Sequence, residues 1–164
     1  MTSDVVTSRS ELFGSLFVLL QHLSRRADRE LADLGLTTRQ WLLLAVLTTR
    51  FPEGSASLSE AAQVYGSSRQ NVKQVASGLQ RAGFVEMTVD PADARVTRIT
   101  PTQRVAVFDT PAMAARTRRM LADAFAGLTD DETLSLRDLV RSCLEGLREG
   151  VDGAPTRPTT EVTR

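Results

Sequence analysis

The 164-residue sequence is short of the residues that most often carry chemistry: it has one cysteine, one histidine and one tryptophan. Cys143 alone cannot close a disulfide within the chain, so the sequence reads as that of a cytoplasmic protein. With His22 as the only histidine, neither a histidine metal cluster nor a histidine-dependent triad is supported. No glycine-rich phosphate loop or nucleophile motif occurs, since Gly78 and Gly83 fall on and at the end of a predicted helix. We expect no catalytic activity, metal or cofactor. The longest apolar stretch, Leu12–Leu20, is broken by Gly14 and Ser15 and is shorter than the roughly 20 residues that a bilayer span needs. The first residues lack the basic-then-apolar order of a signal peptide, and no membrane partner is expected.

Formal net charge is also absent: 20 basic residues balance 20 acidic ones. Lys73 is the sole lysine, a bias that carries no mechanism by itself. More telling is the gap in acidic residues from Ala61 to Val85, bracketed by Glu60 and Glu86 and holding Arg69, Lys73 and Arg81. A local surplus of three positive charges is a modest footprint for a polyanion.

What is present is mostly helical periodicity. Residues 1–9 are expected to be a flexible N-terminus. Ser8 and Glu11 have capping-box spacing, and Leu12, Leu16, Leu19, Leu23, Ala27, Leu31 and Leu34 predict a long amphipathic helix from Ser10, stopped by Gly35. Thr37 or Thr38 can cap a second helix whose centre, Trp41–Leu47, is apolar almost all round and should be central in the fold. Ser57 and Glu60 form another capping box before a short helix ending near Gly66. Ser67 or Ser68 then caps a helix to about Ala82, with Val72, Val75, Ala76 and Leu79 on one face. Phe84–Val89 and Val96–Thr100 read as two strands joined by the loop 90–95. From Thr102 to about Leu128 a helix is expected to kink or restart at Pro111, with Thr110 as cap. Thr129 and Glu132 open a last helix striped by Leu136, Leu139, Val140, Cys143, Leu144 and Leu147. The tail, 150–164, has the composition of a disordered segment.

The fold class is therefore mostly α with a small β-hairpin wing: a winged helix-turn-helix at 37–101, with helical dimerisation regions at 10–36 and 102–149. A helix with one apolar face docks on a core and offers its polar face to a major groove. Arginine can pair with guanine, and asparagine or glutamine with adenine. The candidate DNA-binding residues are Ser67, Ser68, Arg69, Gln70, Asn71, Lys73 and Gln74 on this helix, and Arg95 and Arg98 on the wing. Asp93 is expected to orient Arg95 or shape the loop, because a carboxylate facing DNA would be repelled. The first and last helices carry longer apolar stripes than a winged helix of this size covers, so a two-fold homodimer is expected. Trp41 reads first as a core residue and His22 as a helix-surface or interface residue, with an effector pocket formed by His22 beside Trp41 as the sharper alternative. Cys143 reads as a core or interface thiol, with redox sensing as the sharper alternative.

Leu58-Ser59-Glu60-Ala61-Ala62, Leu79-Gln80-Arg81-Ala82-Gly83-Phe84-Val85 and the wing from Asp90 to Thr100 together resemble the MarR (multiple antibiotic resistance regulator) family of transcription factors, over about Ser10 to Arg148. The resemblance implies a homodimer reading a palindromic double-stranded operator, usually as a repressor, and often released by a small-molecule effector. By position, Asp93 and Arg95 match the family's wing pair. Met87 stands where a basic residue is common in the family, which makes for a less basic wing, and Pro101 and Gln103 replace the usual acidic residue and glycine after it. The alternative reading is a winged-helix protein-interaction module that does not read DNA.

Overall fold

Helix α1 runs from Ser3 to Leu31 in the computed structural model, which describes residues 3–152, with side chains from 5 to 147. The expected start at Ser10 is corrected: Ser8 and Glu11 lie inside the helix rather than capping it. The Ser10 hydroxyl donates to the Val6 carbonyl at 3.1 Å, the back-bonding that lets a serine sit within a helix. The segment expected to be flexible, 1–9, is thus helical from Ser3. The helix tightens into a 3-10 turn at Ala32–Leu34 and stops at Gly35, whose φ of 70° is left-handed and costs a glycine little.

Helix α2 (Thr38–Arg50) opens on a capping box in which the Thr37 side chain accepts from the Gln40 backbone and the Gln40 side chain accepts from the Thr37 backbone. Leu43, Leu44 and Leu47 are buried, but Trp41 and Leu42 are 39% and 46% exposed. The helix is therefore central on one face only, and Trp41 is not a core residue of this chain. Helix α3 (Leu58–Tyr65) starts on the Ser57–Glu60 capping box and ends at left-handed Gly66. Helix α4 (Arg69–Arg81) is capped by Ser68, and its Val72, Ala76 and Leu79 are fully buried.

The hairpin β2 (Val85–Val89) and β3 (Thr97–Pro101) pairs Met87 with Ile99 and Thr88 with Arg98. A third strand, β1 (Ala56–Ser57), pairs antiparallel with β3, so the sheet order is β1-β3-β2. The expected two-stranded wing is thus part of a three-stranded sheet. Two residues are too few to show a period, and Ser57 also serves as the α3 cap. One core joins these pieces, with Phe84, Leu43, Leu47, Leu79 and Ile99 the largest fully buried side chains. No buried side-chain polar atom among the described residues lacks a partner.

After the hairpin, a 3-10 stretch at Gln103–Asp109 leads to Thr110, and Pro111 is the first residue of α5 (Pro111–Ala124). Of the two expectations for Pro111, restart holds. The Thr110 hydroxyl accepts from the Met113 backbone at 3.3 Å, so proline occupies the position where its missing N–H costs nothing.

The chain divides into two compact units, 1–121 and 122–164. In the second, the Thr129 hydroxyl accepts from the Glu132 backbone and the Glu132 carboxylate accepts from the Thr129 backbone, opening α6 (Asp130–Asp152). Its apolar stripe is uncovered, with Leu139 66% and Leu147 69% exposed, and Cys143 is exposed as well. Cys143 is thus no core thiol within the chain. The helix reaches Asp152, past the expected start of the tail at 150, and the rest of the tail lies outside the described residues. No helix among the described residues is long and apolar enough to cross a membrane.

Gly78 on α4 leaves room for the side chain of Gln40 on α2. A Cβ there would sit 2.2 Å from the Gln40 amide nitrogen, and Gln40 is held in place by its bond to the Thr37 N–H at 2.8 Å. In the wild-type background, Gly78→Ala should lose the capping box and forfeit the gain in helix propensity of about 0.5–1 kcal/mol. In a Gln40→Ala background the same change should stabilise by about that amount. Urea denaturation of the four proteins gives the coupling, which should be clearly non-zero.

Candidate nucleic-acid interface

The start of α4 is built from the serines and asparagine that precede its exposed face. The Ser68 hydroxyl accepts from the Asn71 backbone at 3.2 Å, and the Asn71 side-chain amide donates to the Ser67 hydroxyl at 2.7 Å. These three candidate contact residues are therefore engaged in shaping the helix N-terminus. Arg69, Gln70, Lys73 and Gln74 are exposed. Together they form the polar surface opposite buried Val72 and Ala76, and no acidic residue interrupts it.

The wing comes close to this surface. Arg69 donates to the Arg95 backbone carbonyl at 3.4 Å, which ties the helix N-terminus to the loop. A guanidinium has five donors, so this bond leaves others for a ligand. In the loop, the Asp93 carboxylate accepts from the Arg95 backbone N–H at 2.9 Å, so Asp93 shapes the turn on which exposed Arg95 stands. This contact is to backbone; the ion pair of the wing lies elsewhere.

That ion pair joins Arg98 to Asp90 through the guanidinium Nε. Asp90 is buried and also accepts from the Ala92 backbone N–H at 2.8 Å. Arg98, a candidate DNA contact, is thus ion-paired within the wing, while its side chain stays 41% exposed. The backbone N–H of Ala92 and the Arg98 guanidinium hold the Asp90 carboxyl below the usual carboxylate range. Sequence reasoning missed Asp90. The hairpin register held the clue, because Thr88 lies opposite Arg98 and Asp90 is therefore its diagonal neighbour on the same face. Near the sheet, the Ser57 backbone and hydroxyl lower the pKa of Glu60, keeping that capping carboxylate ionised.

A cleft of about 220 Å³ lies between α2 and the 3-10 stretch, lined by Trp41, Leu44, Ala45, Thr48, Val105, Phe108 and Asp109. Trp41 is thus part of a concave surface. His22 is exposed on α1 and does not line this cleft, so the expected pairing of the two is not formed. No group of three His, Cys, Asp or Glu side chains among the described residues could hold a metal ion.

The sequence profile of the MarR family matches residues 34–96, the stretch that carries α2, α3, α4 and the wing loop. This stretch therefore carries the sequence pattern of the MarR family. A curated relative, the transcriptional activatory protein BadR of Rhodopseudomonas palustris, is 28% identical over 106 residues; the match covers 62% of this chain and 61% of BadR. A MarR family transcriptional regulator from Streptomyces coelicolor, solved in complex with DNA, superposes with a TM-score of 0.70 at 22% identity, covering 96% of both chains. BpsR of Bordetella bronchiseptica, whose DNA binding is regulated by 6-hydroxynicotinic acid, gives 0.67 at 22% identity over 81% of this chain and 98% of its own. At these identities the two structures establish a shared fold.

The depressed pKa of Asp90 sets the sign of a pH effect on the wing. A carboxylate with a lowered folded pKa contributes its full stability above the unfolded value and loses it as pH falls through the folded one. Amide exchange at Ala92, measured relative to the core amide of Val72, should rise as pH is lowered through that window. Asp90→Ala should raise it severalfold already at neutral pH.

Proposed function

We propose that this chain is a MarR family regulator: a sequence-specific, double-stranded DNA-binding transcriptional regulator that acts as a homodimer on a palindromic operator. The observation that carries this reading is the acid-free exposed face of α4, with Arg69, Gln70, Lys73 and Gln74 beside Arg95 on the wing. In this reading 37–101 is the reading domain. Arg69, Gln70, Lys73 and Gln74 meet base edges and phosphates, and Arg95 enters the neighbouring minor groove, whose negative potential attracts arginine. Ser67, Ser68 and Asn71 present the helix N-terminus, where backbone N–H groups favour phosphate. Asp93 and the Asp90–Arg98 pair hold the wing.

The segments 10–36 and 102–149 form the dimerisation region. On α1, Phe13 and Phe17 are exposed and pack only on each other among aromatic rings, with centroids 4.9 Å apart. With the uncovered stripe of α6, they leave more apolar surface in water than an isolated chain of this size usually does. A second copy would bury it and set two reading helices about 34 Å apart, one turn of duplex. Repression needs only occupancy of the operator, and it is the sign we propose, although the relative BadR is named as an activator. The protein works in the cytoplasm and carries no catalytic site in this reading.

The cleft at Trp41 suits a small effector. An apolar cavity of about 150 Å³ can hold a benzene ring, so this one fits a single-ring molecule. Asp109 at its wall disfavours anions.

The test is anisotropy with labelled duplexes across a salt series. Binding to a duplex selected by the protein from a random pool should be tighter than to scrambled DNA and should fall steeply with salt. Arg69→Ala should cost about 1–3 kcal/mol and relax base preference at one position, whereas Arg95→Ala should weaken binding with less effect on sequence. Salt-insensitive or absent binding would favour the protein-interaction alternative.

A further inference from the structure

Three charged side chains meet where the chain enters and leaves the winged helix. The Arg116 guanidinium donates through Nε to Glu30 at 2.6 Å and through a terminal nitrogen to Asp33 at 3.0 Å. Glu30 lies on the last turn of α1 and Asp33 on the 3-10 turn before Gly35. Arg116 lies on α5, just past the Pro111 restart. All three belong to the first compact unit. The acids precede the winged helix and the arginine follows it, so the contact closes the neck of that domain with one side chain.

Two observations make this more than an incidental surface pair. First, no residue of α5 is buried, so no fully enclosed apolar side chain fixes how α5 lies on α1. Second, α1 is pinned at the same level to α2: Asp28 accepts from the Thr38 backbone N–H at 2.6 Å and from its hydroxyl at 2.7 Å. The Thr38 hydroxyl also lies 3.1 Å from the Ser24 carbonyl. The end of α1 is thus joined by polar contacts to the first helix of the reading domain and, through Arg116, to the helix that leaves it. Side-chain exposure of 27% for Arg116 against 77% for Asp33 puts the arginine, not the outer acid, at the closed end of this contact.

We propose that Arg116 is a positioning residue for DNA recognition: its clasp on Glu30 and Asp33 fixes the angle between α1 and α5 at the neck, and through it the separation of the two reading helices in the dimer. Exposed ion pairs contribute little to stability, and a two-acid, two-nitrogen arginine contact matters more for geometry than for energy. A head released at the neck keeps its own core and its own reading face. It loses the preference for one half-site spacing over another. The proposal rests on the regulator reading above.

The experiment uses the full-length protein and two duplexes: the one it selects from a random pool, and the same duplex with one base pair inserted between the half-sites. Wild type should discriminate against the insertion. Arg116→Ala should reduce that discrimination by about tenfold and leave the salt dependence of binding unchanged, since Arg116 meets no phosphate. The charge exchange Glu30→Arg with Arg116→Glu should restore much of it. Asp33→Asn, a milder change, should move it the same way and covers the case in which Arg116→Ala folds poorly. A lowered melting temperature with undiminished spacing discrimination in both Arg116→Ala and Asp33→Asn overturns the clasp. Failure of the wild type to bind any duplex overturns the regulator reading instead, and the positioning role with it.

Discussion

Helix α4 has to satisfy two demands along thirteen residues: it gives one face to the core and leaves the other in water without a carboxylate. The Gln40 side chain links them: it caps α2 and lies over Gly78 on α4, in the space a Cβ there would enter. Val72, Ala76 and Leu79 are fully buried. Each large apolar side chain so enclosed contributes about 1.5–3 kcal/mol, enough to hold the helix rigidly while its polar residues remain unpaired with core groups.

The wing solves a different problem, because its loop has no apolar anchor at its tip. Its order comes from polar bonds inside the hairpin. Asp90 gathers Ala92 and Arg98, and Asp93 gathers the Arg95 backbone, so the loop is set before any partner arrives. Preorganisation of this kind reduces the ordering cost of association. Asp90 is buried and paired with Arg98, whereas Asp93 and Arg95 are both exposed, so the tip carries one charge of each sign.

Helix starts were legible in the sequence wherever the signal was local. Thr37–Gln40, Ser57–Glu60 and Thr129–Glu132 act as capping boxes, Ser68 caps α4, and Thr110 with Pro111 restarts the chain. Ser8–Glu11 has the same spacing and caps nothing, because helix already precedes it. Strand β1 was not legible, since two residues have no period and their pairing is with a strand forty residues on. Asp90–Arg98 was missed because Asp93 and Arg95 match the family's pattern by position, while the true pair follows from register. Trp41, Leu42 and Cys143 look like core residues in an apolar pattern. A pattern shows that a face avoids water; it does not show whether the cover comes from the same chain. The polar face of α4 was readable, but not its division into residues that build the helix start and residues that stay exposed.

The scarcity of lysine has a practical side. Nineteen of the cations are guanidinium groups, and the single ammonium side chain, Lys73, stands on the exposed face of α4. Reagents selective for primary amines therefore find one side-chain target in the whole sequence. Acylation there would remove a positive charge from the middle of that surface while leaving every arginine of the neck and wing as it was.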